Sequence, residues 1–398
     1  MKNKVLYLSY NGMMEALGAS QVLNYLYGLS VYYEFYLISL EKENDFFNLE
    51  KKEKLQESLK QKNIHWFPLL YKRGGVKGFL PNLYNIYHCA KKILKQEKIT
   101  LIHCRAYFPT IVAYTLKITN KNIKYIYDTR AFSVEERADT GNLSRKGLPY
   151  KIAKIIEKKL YINASHITIL ANRGKETIQN NELFKDGDKL NNITVIPTCV
   201  DLDKFTLKDI SQNKKELTIG YVGNVGNWYD FDFTLQVLQA IKQKLNYKLL
   251  IFNGEDNGKQ HEYIKQKLSE YDLTNYNLEK VAFSDMPTRI KEMDIAIFFI
   301  HPLFSKRASA ATKLGEFFAT GIPVITNAGV GDHEYYIEQY FVGKIIEKDK
   351  IYAYDFEKIM PELCTDECMK KCREVAEKYF SLSNGVKKYK EIYNNILG

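Results

Sequence analysis

The chain has 398 residues, of which 45% are hydrophobic and 26% are charged, so its composition excludes a disordered protein. Its length exceeds the roughly 250 to 300 residues at which single hydrophobic cores stop growing, and we therefore expect two domains. The formal net charge of +11 is uneven: residues 1–200 carry 31 Lys and Arg against 18 Asp and Glu, a net of +13, and the remainder carries 27 against 29, a net of −2.

The basic first half predicts an anionic partner without identifying it. Nucleic acid, an anionic lipid surface and a phosphorylated acceptor would each explain the charge, and so would a solvated Lys-rich surface. The first apolar run, residues 5–9, is too short for a signal-peptide core, and no run approaches the ~20 apolar residues of a membrane span. We expect a cytoplasmic protein whose membrane contact is at most peripheral. Cys364, Cys368 and Cys372 recur every four residues, which favours reduced thiols on one side of a helix over a metal site.

Short apolar runs alternate with longer helical patterns along the whole chain, which is typical of parallel sheets covered by helices on both faces. The predicted strands of the first half span residues 5–9, 35–40, 101–104, 125–128, 167–170 and 194–196. Those of the second half span residues 217–222, 247–253, 277–282, 294–299 and 323–327. The fold class is therefore α/β, with two Rossmann-like doubly wound domains.

The predicted domain boundaries follow the composition. Residues 1–200 form an amino-terminal domain and residues 217–380 a carboxyl-terminal domain. The polar stretch 201–216 after Pro197 is the hinge. Residues 381–398 form a final helix that packs back towards the first domain.

Two segments could bind phosphate at the carboxyl end of a strand. Residues 11–21 contain Gly18 and place small residues before a helix, where backbone N–H groups and the helix dipole attract an anion, although an ordinary strand-to-helix turn explains them equally well. The stronger segment, residues 306–327, has a small-residue entry, an amphipathic helix, a Gly stop and a strand.

Within that segment, Thr312-Lys-Leu-Gly-Glu316 followed by Gly321-Ile-Pro-Val-Ile resembles the nucleotide-sugar site of family 4 glycosyltransferases of the GT-B fold. Three further stretches are similar to the same family's pattern and follow in the same order along nearly the full chain. They are Leu17-Gly-Ala-Ser-Gln-Val-Leu23, Val195-Ile-Pro-Thr-Cys-Val-Asp-Leu-Asp-Lys-Phe205 and Gly220-Tyr-Val-Gly-Asn-Val-Gly226. The resemblance implies two Rossmann-like domains that face a central cleft.

The resemblance also implies roles for individual residues. Glu316 would hold the nucleotide ribose by its hydroxyls, Thr312 would cap the helix, and Lys313 would add positive charge beside the diphosphate. Lys313 and Glu316 are therefore expected in the catalytic set. The remaining residues expected to bind the donor nucleotide are Gly18, Gly223, Asn224, Phe283, Met286, Arg307, Ser309 and Leu314.

Two departures from the family pattern concern the donor. Many members carry an acidic residue eight positions before the residue that matches Glu316, but Ala308 stands there. Many also carry an Arg and a Lys after the strand that ends at Gly223, where this chain has Asn224 and Trp228. Lys313 and Arg307 are then the cations left to stabilise the leaving diphosphate.

The first domain has a candidate acceptor site directly after a predicted strand. Asp128 and Arg130 resemble the family's Asp-x-Arg segment; Asp128 would accept or orient the proton of the acceptor hydroxyl, and Arg130 would bind a phosphate or a carboxylate. A structural ion pair between Asp128 and Arg130 is the alternative.

In the second domain, Phe283 and Met286 would contact the nucleobase of the donor.

Two further stretches each allow a second interpretation. Asp201-Leu-Asp203 has a metal-binding spacing, but its position after Pro197 favours a turn, and the resemblance implies an enzyme without metal or other cofactor. Residues 72–87 join basic and bulky apolar side chains and could lie on an anionic membrane, or form an ordinary amphipathic helix.

The resemblance thus implies a hexosyltransferase that retains the anomeric configuration of its donor. It would move a sugar from a UDP- or GDP-sugar donor to a hydroxyl of a glycan acceptor, lipid-linked, in cell-surface polysaccharide biosynthesis at the inner face of the plasma membrane. A nucleotide-sugar epimerase of the same fold and a catalytically silent scaffold subunit stay open as alternatives. No RNA-binding signature accompanies the basic half, so nucleic acid is not an expected partner.

Overall fold

The computed structural model describes residues 2–184, 190–209, 216–254 and 258–398. The chain divides into two compact units, the first made of Met1–Pro197 with Leu382–Gly398 and the second of Thr198–Ser381. The first unit therefore ends three residues before the predicted boundary at residue 200. Of the predicted hinge 201–216, residues 201–209 and Glu216 belong to the second unit, and residues 210–215 lie outside the described residues.

The first unit contains a seven-stranded parallel sheet with the order β3-β2-β1-β4-β5-β6-β7. Its strands are β1 (Asn3–Ser9), β2 (Tyr33–Glu41), β3 (Ile64–Leu70), β4 (Leu101–Arg105), β5 (Lys124–Asp128), β6 (His166–Ile169) and β7 (Ile193–Val195). Its helices before the second unit are α1 (Ala16–Gly18), α2 (Asn24–Leu29), α3 (Glu43–Phe46), α4 (Leu49–Lys60), α5 (Val76–Glu97), α6 (Tyr107–Thr119), α7 (Ser133–Asp139), α8 (Leu148–Asn163) and α9 (Asn172–Gln179). A π-helical segment, Ala19–Leu23, joins α1 to α2.

The order of this sheet reverses between β1 and β4, and ligands of open parallel sheets bind at such a switch point, beyond the carboxyl ends of the strands. Ser9, Arg105, Asp128 and Thr168 lie side by side in register at that end of β1, β4, β5 and β6. The two strand ends predicted to carry chemistry, those of β1 and β5, therefore lie at the same edge of the sheet, on either side of β4.

The second unit contains a six-stranded parallel sheet with the order β10-β9-β8-β11-β12-β13. Its strands are β8 (Leu217–Val222), β9 (Tyr247–Phe252), β10 (Tyr276–Glu279), β11 (Ile295–Ile297), β12 (Val324–Thr326) and β13 (Gly343–Ile345). Its helices are α10 (Phe231–Lys242), α11 (Lys259–Glu270), α12 (Met286–Arg289), α13 (Thr312–Ala319), α14 (His333–Tyr340), α15 (Phe356–Leu363) and α16 (Asp366–Val375). Short 3₁₀ or π segments occur at Ile290–Glu292, Phe304–Ala308, Lys348–Ala353 and Ala376–Phe380.

The last helix, α17 (Leu382–Leu397), packs in the first unit, against α2 and the sheet. Tyr33 donates a hydrogen bond from its hydroxyl to Oδ1 of Asn394 at 2.6 Å, and the hydroxyl of Tyr393 lies 2.5 Å from Nδ1 of His103. These two contacts attach the end of the chain to β2 and β4.

Two strands were absent from the sequence prediction, the edge strands β3 and β13. Pro68 interrupts the apolar pattern of β3, and an edge strand tolerates a proline because it lacks a partner on one side. Cys368 and Cys372 are buried free thiols on α16, whereas Cys364 is exposed. Among the described residues, no helix is both long and apolar enough to cross a bilayer.

Candidate active site

The loop after β8 requires glycine at position 223. Gly223 has φ +116° and donates its N–H to the carbonyl of Phe252 at 2.8 Å, which holds the loop against the end of β9. A Cβ atom added at Gly223 would lie 2.9 Å from Nζ of Lys313. The carbonyl of the exposed Asn224 accepts a hydrogen bond from the Tyr221 hydroxyl at 2.8 Å. The predicted donor residue Gly223 is therefore held next to Lys313, and Asn224 follows it in the same loop.

The helix α13 begins at Thr312, directly after Ala311. Thr312 is therefore the first helical residue, so the prediction that it caps the helix is wrong; Ala311 occupies the cap position without a side-chain hydrogen bond. Leu314, expected to bind the donor, places its side chain in the hydrophobic core, so only its backbone could reach a ligand. The amino-terminal end of α13 keeps the partial positive charge that attracts phosphate.

Lys313 is a buried cation in an aromatic environment. Its side chain donates a hydrogen bond to the carbonyl of Val222, and Nζ lies 3.8 Å from the ring centre of Tyr229 and 4.9 Å from that of Phe298. The residue is only 7% exposed, and burial lowers the pKa of its ammonium group to about 7, although the charge of Glu316 opposes the shift. Such an ammonium group lacks a full counter-charge and would gain stability from an anion.

Glu316 follows Lys313 by three residues, on the same side of α13. It is 8% exposed, and burial raises the pKa of its carboxyl group to about 7, against the effect of Lys313. Both groups therefore change charge near neutral pH. A diphosphate beside Lys313 and a diol beside Glu316 would favour the ammonium and carboxylate forms, respectively.

The segment before α13 contains a cation that sequence reasoning missed. Nζ of the buried Lys306 lies 3.3 Å from the ring centre of Trp228. The guanidinium of Arg307, expected to bind the diphosphate, packs over Phe304 at 4.9 Å and is half-buried, and Ser309 is half-buried too. The presence of a rare Trp in a polar loop was the signal that could have drawn attention to Lys306.

Ala308 is fully buried, at the position where many members of the resembling family carry an acidic residue. A carboxylate buried at this position would lose its hydration, and the alanine of this chain avoids that cost. An acidic side chain at position 308 is therefore not available to contact the donor sugar.

A glycine-rich loop after β12 leads into α14. The N–H of Gly331 donates to the carbonyl of Lys306 at 2.9 Å, which ties this loop to the segment before α13. His333, the first residue of α14, is buried, and neither ring nitrogen has a hydrogen-bond partner. Burial lowers the pKa of His333 to about 4, so its imidazole is neutral at pH 7. Its ring lies 5.9 Å from Phe298, the same ring that faces Lys313.

The predicted nucleobase residues lie in the segment that follows β10. Phe283 is exposed, which leaves a face of its ring open for stacking, and Met286 is half-buried at the start of α12. Arg289 fixes α12 to β10 through a 2.7 Å ion pair with Glu279. Phe283 and Met286 thus follow a strand at its carboxyl end, as the other donor residues do.

In the first unit, the structure gives Gly18 a packing role. It lies inside a continuous helical segment, and an added Cβ atom would be 1.9 Å from the carbonyl oxygen of Gly12. The buried carboxylate of Glu41 holds the preceding loop by accepting hydrogen bonds from the N–H groups of Met13 at 2.8 Å and Met14 at 3.2 Å. Because the helical segment begins at Ala16, the prediction that residues 11–21 precede the helix is wrong for residues 16–21.

Asp128 lies among cations at the carboxyl end of β5. Its Oδ1 accepts a hydrogen bond from the Thr168 hydroxyl at 2.9 Å and lies 3.5 Å from Nη1 of Arg130. Burial alone would raise the pKa of Asp128, but Arg130, His103 and Arg105 outweigh it and hold the pKa well below its usual range. A carboxylate that binds protons so weakly is a poor general base, which favours an orienting role.

The Asp-x-Asp stretch at residues 201–203 forms a turn. Asp203 donates its N–H to Oδ1 of Asp201 at 3.2 Å, and Lys204 pairs with the same carboxylate at 3.2 Å. Among the described residues, no group of three or more His, Cys, Asp or Glu side chains is placed to bind a metal ion.

Comparison with known proteins finds a family match within the second unit and solved structures with a similar overall fold. Residues 203–379 match the family described as glycosyl transferases group 1. The whole fold is similar to sucrose-phosphate synthase from Thermosynechococcus elongatus, with 13% identity, a TM-score of 0.73 and 100% of this chain and 99% of that chain covered. It is also similar to Anabaena HepE in complex with UDP and glucose, with 12% identity, a TM-score of 0.67 and coverage of 99% and 100%. The lipopolysaccharide outer core galactosyltransferase WaaB aligns with 12% identity, a TM-score of 0.66 and coverage of 99% of each chain. No curated protein matches at the level of sequence.

Proposed function

We propose that the protein is a retaining hexosyltransferase that uses a nucleotide-sugar donor and acts in cell-surface polysaccharide biosynthesis. The match of residues 203–379 to the family described as glycosyl transferases group 1 supports this proposal. The donor would be a UDP- or GDP-sugar, and the acceptor a hydroxyl group of a lipid-linked glycan. HepE was crystallised with UDP and with UDP-glucose, and WaaB is a lipopolysaccharide galactosyltransferase, which supports a nucleotide donor and a surface glycan.

The observation that carries the donor assignment is the buried pair on α13. Lys313 and Glu316 are both at least nine-tenths buried, and in the described part of the chain they act on each other only through their charges, without a direct ion pair. Interiors rarely keep such groups without a partner, because burying a charge costs several kcal/mol. A nucleoside diphosphate supplies both missing partners, an anion for Lys313 and a diol for Glu316.

We assign the leaving diphosphate to Lys313, Arg307 and the amino-terminal end of α13. The ammonium of Lys313 would neutralise charge that develops as the glycosidic bond breaks, which is the role a metal ion has in other glycosyltransferases. We therefore propose that catalysis needs no metal. Transfer measured with and without EDTA tests this statement: equal rates are expected, and loss of turnover that Mg²⁺ or Mn²⁺ restores would contradict it.

The experiment that tests the function itself is a transfer assay with radiolabelled UDP- and GDP-sugars and membrane extracts as acceptor source. We expect label to enter a lipid-extractable product in which the anomeric configuration of the donor is kept, as NMR of the product would show. Release of a rearranged free sugar would favour the epimerase alternative. Absence of any nucleotide binding in calorimetry would favour the scaffold alternative, which Ala308 supports.

We further propose that the first unit lies on an anionic membrane surface. On α8, four aliphatic side chains share one face and are 45% to 68% exposed: Leu148, Ile152, Ile155 and Ile162. Exposed Lys151 and Lys159 lie on the same side of this helix. Aliphatic side chains flanked by lysines are typical of helices that lie in the lipid interface.

The stretch 72–87, for which the sequence left membrane contact and an ordinary amphipathic helix both open, supports this surface in part. Leu80 and Tyr84 of α5 are exposed, but Phe79 is half-buried and packs on Phe108 at 4.7 Å. Since α5 and α8 both pack against α6, they belong to the same helical layer.

Vesicle flotation tests the membrane proposal. The double variant Ile152→Glu/Ile155→Glu should lose binding to vesicles that contain phosphatidylglycerol, and added salt should weaken binding of the unaltered protein. The matched control is Phe341→Glu/Tyr352→Glu, which changes two exposed apolar residues of the second unit. Unchanged flotation of the α8 variant would contradict the proposal.

A further inference from the structure

The carboxyl ends of β4 and β5 hold more positive than negative charge. Arg105 and Arg130 share the single carboxylate of Asp128, at 4.0 Å from Nη1 of Arg105 and 3.5 Å from Nη1 of Arg130. His103 adds no charge at neutral pH, because burial lowers the pKa of its imidazole. The buried cluster therefore carries two guanidinium groups and one carboxylate.

Arg105 has a buried guanidinium nitrogen without a hydrogen-bond partner. It is 4% exposed, and its Nη1 has no hydrogen-bond acceptor, since Asp128 lies beyond hydrogen-bond distance. Its Nη2 donates to Oε1 of Gln21 at 2.7 Å, and the same oxygen accepts from Nη2 of Arg130 at 3.3 Å. One neutral amide oxygen thus serves two guanidinium groups, at a place where an anionic oxygen would bind both more strongly.

We propose that Arg105, Arg130 and Gln21 form a binding site for a phosphate group carried by the acceptor. Guanidinium groups match the geometry of phosphate, and a phosphate has enough oxygens to accept hydrogen bonds from both arginines at once. Gln21 is half-buried and the Arg130 side chain is 14% exposed, so the group can be reached from solvent. That the phosphate belongs to the acceptor rests on the proposed glycosyl transfer; the anion site itself does not.

Inorganic phosphate is the first probe, titrated into the full-length protein at constant ionic strength with melting temperature as the readout. Arg105→Met should weaken phosphate binding at least tenfold, whereas Lys242→Met, at an exposed lysine of the second unit outside both sites, should keep it. Equal phosphate affinity in Arg105→Met would overturn the proposal. So would a phosphate effect that only Lys313→Met removes.

Gln21→Glu provides a second variant that does not depend on how Arg105→Met folds. It places a carboxylate where the phosphate oxygen would lie, so we expect a higher melting temperature and loss of phosphate binding. The matched control Val31→Glu adds the same charge at an exposed position of the same unit and should change neither quantity. A lower melting temperature of Gln21→Glu, or unchanged phosphate affinity, would refute the site.

Two further titrations separate this proposal from its neighbours. Glucuronate presents a sugar carboxylate, and tighter binding of glucuronate than of phosphate would overturn the assignment to phosphate. UDP reports on the second unit: retained UDP binding with no Arg105-dependent phosphate binding overturns this inference alone. Arg105-dependent phosphate binding without any UDP binding supports the site and contradicts the proposed function instead.

Discussion

Lys313→Met should stabilise the ligand-free protein at mildly acidic pH while it weakens nucleotide binding. The pKa of Lys313 lies near 7 in the folded protein, about 3.5 units below its usual 10.5. At 1.36 kcal/mol per unit, burying the ammonium costs about 5 kcal/mol below pH 7. The cost declines as pH rises from 7 to 10.5, because the neutral amine is then buried without penalty. The lost hydrogen bond to Val222 and the ring contacts offset part of this gain.

We therefore expect the variant to unfold at a temperature several degrees higher at pH 6, since ~2 kcal/mol corresponds to roughly 4 to 8 °C for a unit of this size. Differential scanning calorimetry at pH 6 and pH 9.5 is the assay, and the advantage of the variant should shrink at pH 9.5. Lys242→Met, an exposed lysine of the same unit, is the control and should show little change at either pH. A variant less stable than the unaltered protein at pH 6 would show that Lys313 is a structural cation held by its aromatic neighbours.

Three other substitutions follow from single contacts. Gly223→Ala should lower UDP affinity at least tenfold in calorimetry, because φ is +116° and the new Cβ would crowd Nζ of Lys313; unaltered affinity would remove the loop from the donor site. His333→Phe should increase the free energy of unfolding by about 1–3 kcal/mol, and so raise the melting temperature, since it removes two buried nitrogens without partners; a lower melting temperature would contradict this account. Asp128→Asn should cost about 3–5 kcal/mol in urea unfolding at pH 7, because it leaves buried arginines without their carboxylate. The Asp128 contribution is present above the usual carboxyl pKa and is lost as pH falls towards the lower folded value, so the gap should narrow at pH 3.

Periodicity predicted most of the fold because buried parallel strands read as apolar runs. The eleven predicted strands all overlap observed ones, whereas β3 and β13 were missed for local reasons. Pro68 breaks the pattern of β3, and β13 has only three residues, Gly343–Ile345. Edge strands receive less of the burial that makes a strand recognisable in a sequence.

The candidate site was predicted unevenly, since spacing along a helix is visible in a sequence and contacts across a sheet are not. Lys313 and Glu316 lie three residues apart on α13, and their motif pointed to them directly. Lys306 is recognisable only through its contact with Trp228, which stands 78 positions earlier in the chain. Arg105 could not be connected with Gln21 from the sequence either, because the two meet only when β4 pairs with β1.

Helix boundaries were the least accurate part of the prediction, and they changed the roles of two residues. Thr312 proved to be the first helical residue of α13 instead of its cap, and Gly18 lies within a helical segment that starts at Ala16. In both places the chain lacks the Ser, Thr, Asp or Asn cap that normally marks a helix start.

The most direct test of the account is a calorimetric comparison of UDP with 2′,3′-dideoxy-UDP at pH 8, where the pKa near 7 leaves Glu316 largely ionised. If Glu316 binds the ribose diol, the unaltered protein should bind UDP at least tenfold more tightly than 2′,3′-dideoxy-UDP. Each of the two charge-assisted hydrogen bonds contributes about 1.5–3 kcal/mol, and a tenfold difference requires only about 1.4 kcal/mol. In Glu316→Gln that preference should largely disappear, while the melting temperature of the ligand-free protein is kept or raised. Equal discrimination by both proteins would contradict the central claim that α13 binds the nucleotide through Glu316.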